Sequence, residues 1–219
     1  MIDYDKALNE EQRRVVMEGD GPLLVIAGAG SGKTRALTYR VARLVETGVP
    51  PSRIMLATFT NKAARAMLAR VQSLVGDDLR PLWGGTFHHL ANRTLRRHAP
   101  RLGYEPGFTI ADSEDARQLI NACIAEAPAG RTGEKFPKGD VIREIVSLSV
   151  NTGRDMAEVI LQRYPFFSHL SQEISEVAAR YDRRKRKGQI MDFDDLLLNW
   201  RRLLSEQPDL SEQYAERFL

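Results

Sequence analysis

The 219-residue chain carries 32 lysines and arginines against 29 aspartates and glutamates, a formal net charge of +3, with 42% hydrophobic and 28% charged residues. That size allows one core with an insertion or two domains, and the composition is globular rather than fibrous or low-complexity; the mild basic excess permits nucleic-acid binding without requiring it. A single cysteine, Cys123, excludes an internal disulfide and a cysteine-built zinc site, and no apolar run approaches the roughly 18 residues of a membrane span, so we expect a cytoplasmic protein with no membrane partner.

From the N-terminus, Asn9-Glu10-Glu11-Gln12 opens a helix whose apolar positions are Val15, Val16 and Met17. Asn9 as N-cap with Gln12 three residues on is a capping-box variant. Gln12 also stands just before a phosphate loop, where an amide offers both the donor and the acceptor that an adenine edge requires. Residues 23–26, LLVI, form an apolar run between Gly21-Pro22 and glycines and predict a buried strand. The loop Ala27-Gly28-Ala29-Gly30-Ser31-Gly32-Lys33-Thr34 follows. Its glycines remove side chains where a backbone must turn tightly and bring N–H groups against phosphate oxygens, and Lys33 and Thr34 open a helix whose start favours anions. In this P-loop pattern the lysine reaches the β- and γ-phosphates and the threonine hydroxyl coordinates Mg²⁺. One position departs from the general pattern, because Ala27 stands where glycine is usual. A glycine-rich turn with no ligand is the plainer alternative.

Leu37, Val41, Leu44 and Val45 keep helical spacing as far as Gly48, and residues 53–59, RIMLATF, predict a second strand. Strand, helix and strand then form the βαβ unit of a parallel sheet. Residues 61–75 predict a helix with Ala63, Ala64, Met67, Leu68 and Val71 on one face, closed by Gly76-Asp77-Asp78. Residues 82–87 predict a third strand, and a basic helix over 88–98 carries Arg93, Arg96 and Arg97. In an open parallel sheet the ligand crevice lies beyond the carboxyl ends of the strands. Thr58-Phe59-Thr60-Asn61 and Thr86-Phe87-His88 are therefore expected on the same rim as the phosphate loop. Burial beneath that rim is the alternative for Phe59, and a capping or strand-end role is the alternative for His88.

Residues 100–107 form a turn-rich joint, and residues 113–187 read as helical throughout, broken at 128–139, 151–153 and 165. This is an all-helical insertion in an α/β domain. Its last helix, 173–187, ends in Arg183-Arg184-Lys185-Arg186-Lys187, a basic turn suited either to the helix dipole and solvent or to a phosphate. In MDFDDLLLNW at 191–200, Asp192 reads as an N-cap with Asp195 at the third helical position and Leu196, Leu197 and Trp200 in the core, rather than as a metal site. P-loop enzymes normally need a further strand-end carboxylate. The segments 108–112 and 190–192 imitate one, but the first is a helix cap and the second a poor strand, so that acid is expected beyond residue 219.

Residues 9–12, the loop 27–34 with Arg35, ATFTNKAA at 57–64 and GTFHHLA at 85–91 resemble the Q motif and motifs I, Ia and Ib of superfamily 1A DNA helicases, the UvrD/Rep/PcrA group. MDFDDLLL resembles the segment that precedes the Walker B strand in that family, where Ala27 is also the usual residue. The resemblance implies an α/β P-loop NTPase fold: a RecA-like parallel sheet flanked by helices with a helical inserted subdomain. It implies a first part of subdomain 1A at 1–90, helical subdomain 1B at 91–191 and a return into 1A at 192–219. It further implies ATP and Mg²⁺ as cofactors, with Gln12 and Arg35 at the adenine, Ala27, Gly28, Ala29, Gly30, Ser31, Gly32 and Lys33 around the phosphates, and Thr34 on Mg²⁺. Phe59, Thr60, Asn61, Thr86 and His88 would line a single-stranded DNA track. The parent would be an ATP-dependent 3′-to-5′ helicase and ATP hydrolase acting at single-strand/duplex junctions. Walker B acids, a second RecA-like domain and an arginine finger would lie outside this stretch, leaving it unable to hydrolyse ATP. Two other readings stand beside it: a free-standing helicase-like module that binds DNA or a partner protein, and a small P-loop kinase, in which TFTNKAA would have no role.

Overall fold

The computed structural model describes residues 2–18, 21–76, 78–127 and 136–218. In chain order the helices and strands are α1 (Tyr4–Ala7), α2 (Glu10–Met17), α3 (Lys33–Glu46), β1 (Met55–Thr58), α4 (Asn61–Val75), β2 (Trp83–Thr86) and α5 (Phe87–His98). There follow β3 (Thr109–Ile110), α6 (Ser113–Glu126), α7 (Gly139–Thr152), α8 (Met156–Arg163), α9 (Ser171–Lys187), β4 (Ile190–Met191), α10 (Phe193–Glu206) and α11 (Pro208–Arg217). They group into two compact units, Met1–Leu90 with Pro208–Leu219, and Ala91–Gln207.

The first unit is a parallel α/β layer. β1 and β2 pair in register from Met55↔Trp83 to Thr58↔Thr86, and the crossover between them is α4, the connection that parallel pairing demands. Val41, Ile54, Leu56, Met67, Val71, Leu79 and Leu82 form the core beneath. α4 starts where Thr60 Oγ1 accepts from Ala63 N at 3.1 Å, and it stops at Gly76, whose φ of +68° supplies the left-handed cap. Asp77, expected to help close this helix, lies outside the described residues. Two glycines in β2 admit the helices: a Cβ on Gly84 would fall 2.7 Å from Leu68, and one on Gly85 2.6 Å from the His89 ring. α11 closes over fully buried Trp83, with Tyr214 and Phe218 edge-on at 5.8 and 5.2 Å and the Arg217 guanidinium 4.7 Å from its ring.

One expected strand is not formed. Residues 23–26 have no strand pairing, and Leu23, Leu24, Val25 and Ile26 are 48%, 85%, 41% and 91% exposed. An apolar run becomes a strand only where hydrogen-bonded neighbours receive it, and among the described residues this run has no strand partner.

The second unit is helical around Ile120, Cys123, Ile142, Ile145, Ile160, Ile174, Val177 and Tyr181. The break expected at 128–139 falls mostly outside the described residues. The segment 190–192, read as a poor strand, does pair: β4 lies parallel to β3 through Thr109↔Ile190 and Ile110↔Met191. Each of these two-residue strands runs straight into a capping box, Asp112 with Asp115 before α6 and Asp192 with Asp195 before α10. Leu196 and Met191 are buried, whereas Leu197 and Trp200, expected in the core, are only half-buried. Gln189 is the one non-glycine residue with positive φ among those described, at +53°, and its side chain accepts from Glu105 N at 2.6 Å to hold the turn into β4.

The basic turn at 183–187 is not simply solvated. Lys185 is 4% exposed, and its Nζ donates to Asp192 Oδ2 at 2.8 Å and Asp195 Oδ2 at 2.6 Å. Tyr181 OH donates to Asp192 Oδ2 at 2.8 Å. Burial works against the Lys185 ammonium, but the two carboxylates outweigh it and hold its pKa above the usual lysine value. Burial and the neighbouring Asp192 push Asp195 up. For Asp192, burial opposes ionisation, yet the ammonium and the hydrogen bonds it accepts pull its carboxyl below the usual range.

Candidate functional site

All the site residues expected from the sequence fall in the first unit. Gln12 occupies the third position of α2, where its backbone N donates to Asn9 Oδ1 at 2.8 Å and its Oε1 accepts from Asn9 N at 3.3 Å. The expected capping box is therefore present. The remaining end of the amide, Nε2, donates to the Ser31 carbonyl at 2.9 Å, which ties α2 to the glycine-rich loop. Gly32 makes this approach possible: its φ is +84°, and a Cβ there would stand 2.4 Å from Gln12 Nε2.

The loop is held from within. Ser31 Oγ donates to the Gly28 carbonyl at 2.8 Å, and Gly30 takes a left-handed φ of +78°. Lys33 Nζ donates to the carbonyls of Ala27 and Gly28 at 3.0 and 2.6 Å, so the ammonium lies in the concavity of the loop. No side chain caps the start of α3, the arrangement in which an anion's oxygens take the place of a cap. A cavity of about 280 Å³ opens here, lined by Asn9, Gln12 and Val15 on one side and by Ala27, Gly32 and Lys33 on the other. Thr34 is exposed at the first turn of α3 and is not among the residues lining it.

Arg35 is held by the N-terminal helix. Its Nε and Nη2 both donate to the Ala7 carbonyl, at 3.0 and 2.7 Å, and its guanidinium lies 5.4 Å from the Tyr39 ring centroid. A cation against the last carbonyl of a helix is favourable. Nothing in the sequence links Arg35 to Ala7, because the contact spans 28 residues.

At the strand ends the register sets the geometry. Thr58 pairs with Thr86, so Phe59 and Phe87 leave the sheet side by side, with ring centroids 5.8 Å apart and planes at 67°. Phe59 is 90% exposed and Phe87 41%, which rules out burial of Phe59 beneath the rim. Thr60 and Asn61 are exposed at the start of α4, Thr86 Oγ1 accepts from His89 N at 3.2 Å, and His88 is half-buried. Phe87 was expected on the rim but not as a contact residue. Its signal was the repeat of Thr-Phe at both strand ends, which becomes informative only once the strands are in register.

A parallel α/β unit whose glycine-rich loop feeds a helix defines a P-loop fold of the RecA-like class. The UvrD/REP helicase N-terminal domain family matches residues 8–219, and the chain belongs to it. Among curated proteins it is similar to the ATP-dependent DNA helicase PcrA of Staphylococcus aureus, 38% identical over 212 residues, and of Staphylococcus epidermidis, 37% identical over 214. These matches cover 96% and 97% of this chain but 28% of each relative, so the chain spans little more than a quarter of their length. Among the described residues, no helix is long and apolar enough to cross a membrane, and no group of three or more His, Cys, Asp and Glu residues is placed to hold a metal ion.

Proposed function

We propose that this chain is the ATP-binding and single-stranded-DNA-binding part of an ATP-dependent 3′-to-5′ DNA helicase. The observation that carries the reading is the common cavity of Gln12, Gly32 and Lys33, which joins an amide suited to a purine edge with a loop suited to phosphates. The uncapped start of α3 and the left-handed glycines fit a triphosphate. Lys33 would leave the carbonyls of Ala27 and Gly28 to meet it. Thr34 offers one hydroxyl to Mg²⁺, whose remaining ligands would be phosphate oxygens and water. The metal and the triphosphate supply the charge and the leaving group of phosphoryl transfer when bound.

Phe59 with Phe87, and Thr60, Asn61, Thr86 and His88 beside them, form the proposed strand-binding rim. Aromatic rings stack on bases of any sequence, and short polar groups at a helix start hold phosphate. This exposed pair favours the helicase reading over a small kinase. We further propose cytoplasmic residence, junction DNA as substrate and residues 1–90, 91–191 and 192–219 as subdomain 1A, subdomain 1B and the return into 1A. Hydrolysis is assigned to the parent protein, completed by a second RecA-like domain, and not to this stretch alone.

Calorimetric titration of Mg²⁺-ATP into the chain and into Lys33→Ala, with and without a short oligothymidylate, tests the reading. We expect binding by the first and none by the second. Equal binding by both, or none by either, overturns a nucleotide site at this loop.

A further inference from the structure

Residues 23–26 present a row of apolar side chains on a backbone that pairs with nothing. Leu24 and Ile26 are 85% and 91% exposed, whereas Leu23 and Val25 are covered by about half. That alternation belongs to an extended strand with one face against a layer. On the covered face, Leu23 and Val25 line a cavity of about 350 Å³ with Val15 of α2 and with Ala36 and Leu37 of α3. Among the described residues, no backbone N–H or C=O of residues 23–26 takes part in a hydrogen bond. Unpaired backbone groups in a row, flanked by apolar side chains, are a template for a further strand.

The bounds of the segment limit what can add to it. Pro22 has no N–H, and Gly21 before it turns the chain with a φ of +107°. After Ala27 the backbone enters the glycine-rich loop. What fits is a strand of four or five residues, apolar on both faces and without charge. Every copy of this chain carries one, because residues 23–27 contain no polar or charged side chain.

We propose that residues 23–26 are a self-association edge, on which the same residues of a second copy add as an antiparallel strand. Residues opposite one another in a ladder point to the same face. A two-fold axis through Val25 therefore sets Leu24 of one copy beside Ile26 of the other on the open face, and Leu23 beside Ala27 on the helix face. At their exposures the four residues offer roughly 500 Å² per copy, so a pair of copies lies near about 1,000 Å² in total, the low end of specific interfaces. The association is accordingly concentration-dependent, and it needs neither nucleotide nor DNA.

Sedimentation of the full chain from about 1 to 100 µM, with hydrogen exchange at both ends of that range, tests the edge. The chain is expected to pass from monomer to dimer, with the amides of residues 23–26 slowed about tenfold in the dimer alone. Leu24→Lys and Ile26→Glu each set a charge against an apolar partner, and each by itself should stay monomeric where the parent is a dimer. Their equimolar mixture, in which the two new charges face each other, should dimerise again. Phe166→Lys, at a side chain 69% exposed in the other unit, should associate like the parent. A parent that stays monomeric overturns the proposal, whether its 23–26 amides exchange freely or are protected because its own chain covers them. Dimerisation of either single variant, a mixture that fails to recover, or loss of the dimer in Phe166→Lys overturns it as well. Species that keep growing beyond the dimer would mean open-ended strand stacking and not a closed pair.

Discussion

At the scale of single residues, the site is made by side chains that serve the fold first. Gln12 completes a capping box with one end of its amide and restrains the Ser31 carbonyl with the other, and Arg35 caps α1. Tyr4 OH donates to Glu46 Oε2 at 2.6 Å, and this pair adds a pH window. Burial and the Glu46 carboxylate raise the Tyr4 phenol above its ordinary 10.0, and the phenol's hydrogen bond holds Glu46 below its ordinary 4.5. A lowered carboxyl contributes stability that is present above 4.5 and lost as pH falls; a raised phenol contributes stability that is present below 10.0 and lost as pH rises. The melting temperature of Tyr4→Phe should therefore lie below that of the parent between these values and converge with it in acid. Glu46 is solvent-exposed, so the gap should correspond to about 1 kcal/mol or less. A constant gap down to pH 3 would show that the lost hydroxyl acts through packing alone.

At the scale of elements, helix starts organise both units. Thr60, Asp112 and Asp192 each cap a helix just after a strand; the two aspartate caps were legible in the sequence, whereas Thr60 was expected only on the rim. The ion cluster of Lys185, Asp192 and Asp195 was not visible. The sequence shows five consecutive basic residues at the end of α9, which look equivalent; only the packing of α9 against β4 turns Lys185 inward while Arg183, Arg186 and Lys187 stay exposed. Replacing Lys185 by Met leaves two carboxylates buried without their cation, and we expect a loss of about 3–5 kcal/mol in urea denaturation at neutral pH. An unchanged urea midpoint would falsify the view that Lys185 neutralises the caps of α10.

At the scale of the whole molecule, a net charge of +3 and an exposed aromatic pair define how the proposed strand-binding rim should behave. Oligothymidylate affinity should fall with salt, with a slope of about 0.7 per phosphate neutralised. Phe59→Ala should weaken it by roughly 1–3 kcal/mol at every salt concentration while leaving the slope unchanged, because stacking releases no counterions. A variant with parent-like affinity removes Phe59 from the track; a changed slope means that phosphate contacts were lost instead. Much of this architecture was legible beforehand. Local rules placed α4 at its observed bounds and put β1, β2 and the two aspartate caps within a residue or two, since strands, caps and left-handed glycines depend on neighbours a few residues away. The phosphate loop was equally legible as a motif. Burial was less so: residues 23–26 satisfy every local criterion for a strand yet remain unpaired and exposed, while Ile190 and Met191, with two apolar residues to offer, pair because β3 lies beside them. By itself the sequence determined the glycine-rich loop, the bounds of α4 and the Thr-Phe repeats at the strand ends. Only the tertiary structure decided that Phe59 and Phe87 stand together, that Lys185 is buried and that Arg35 answers to Ala7, because register, ion pairing and distant carbonyl contacts depend on which residues meet across long stretches of chain.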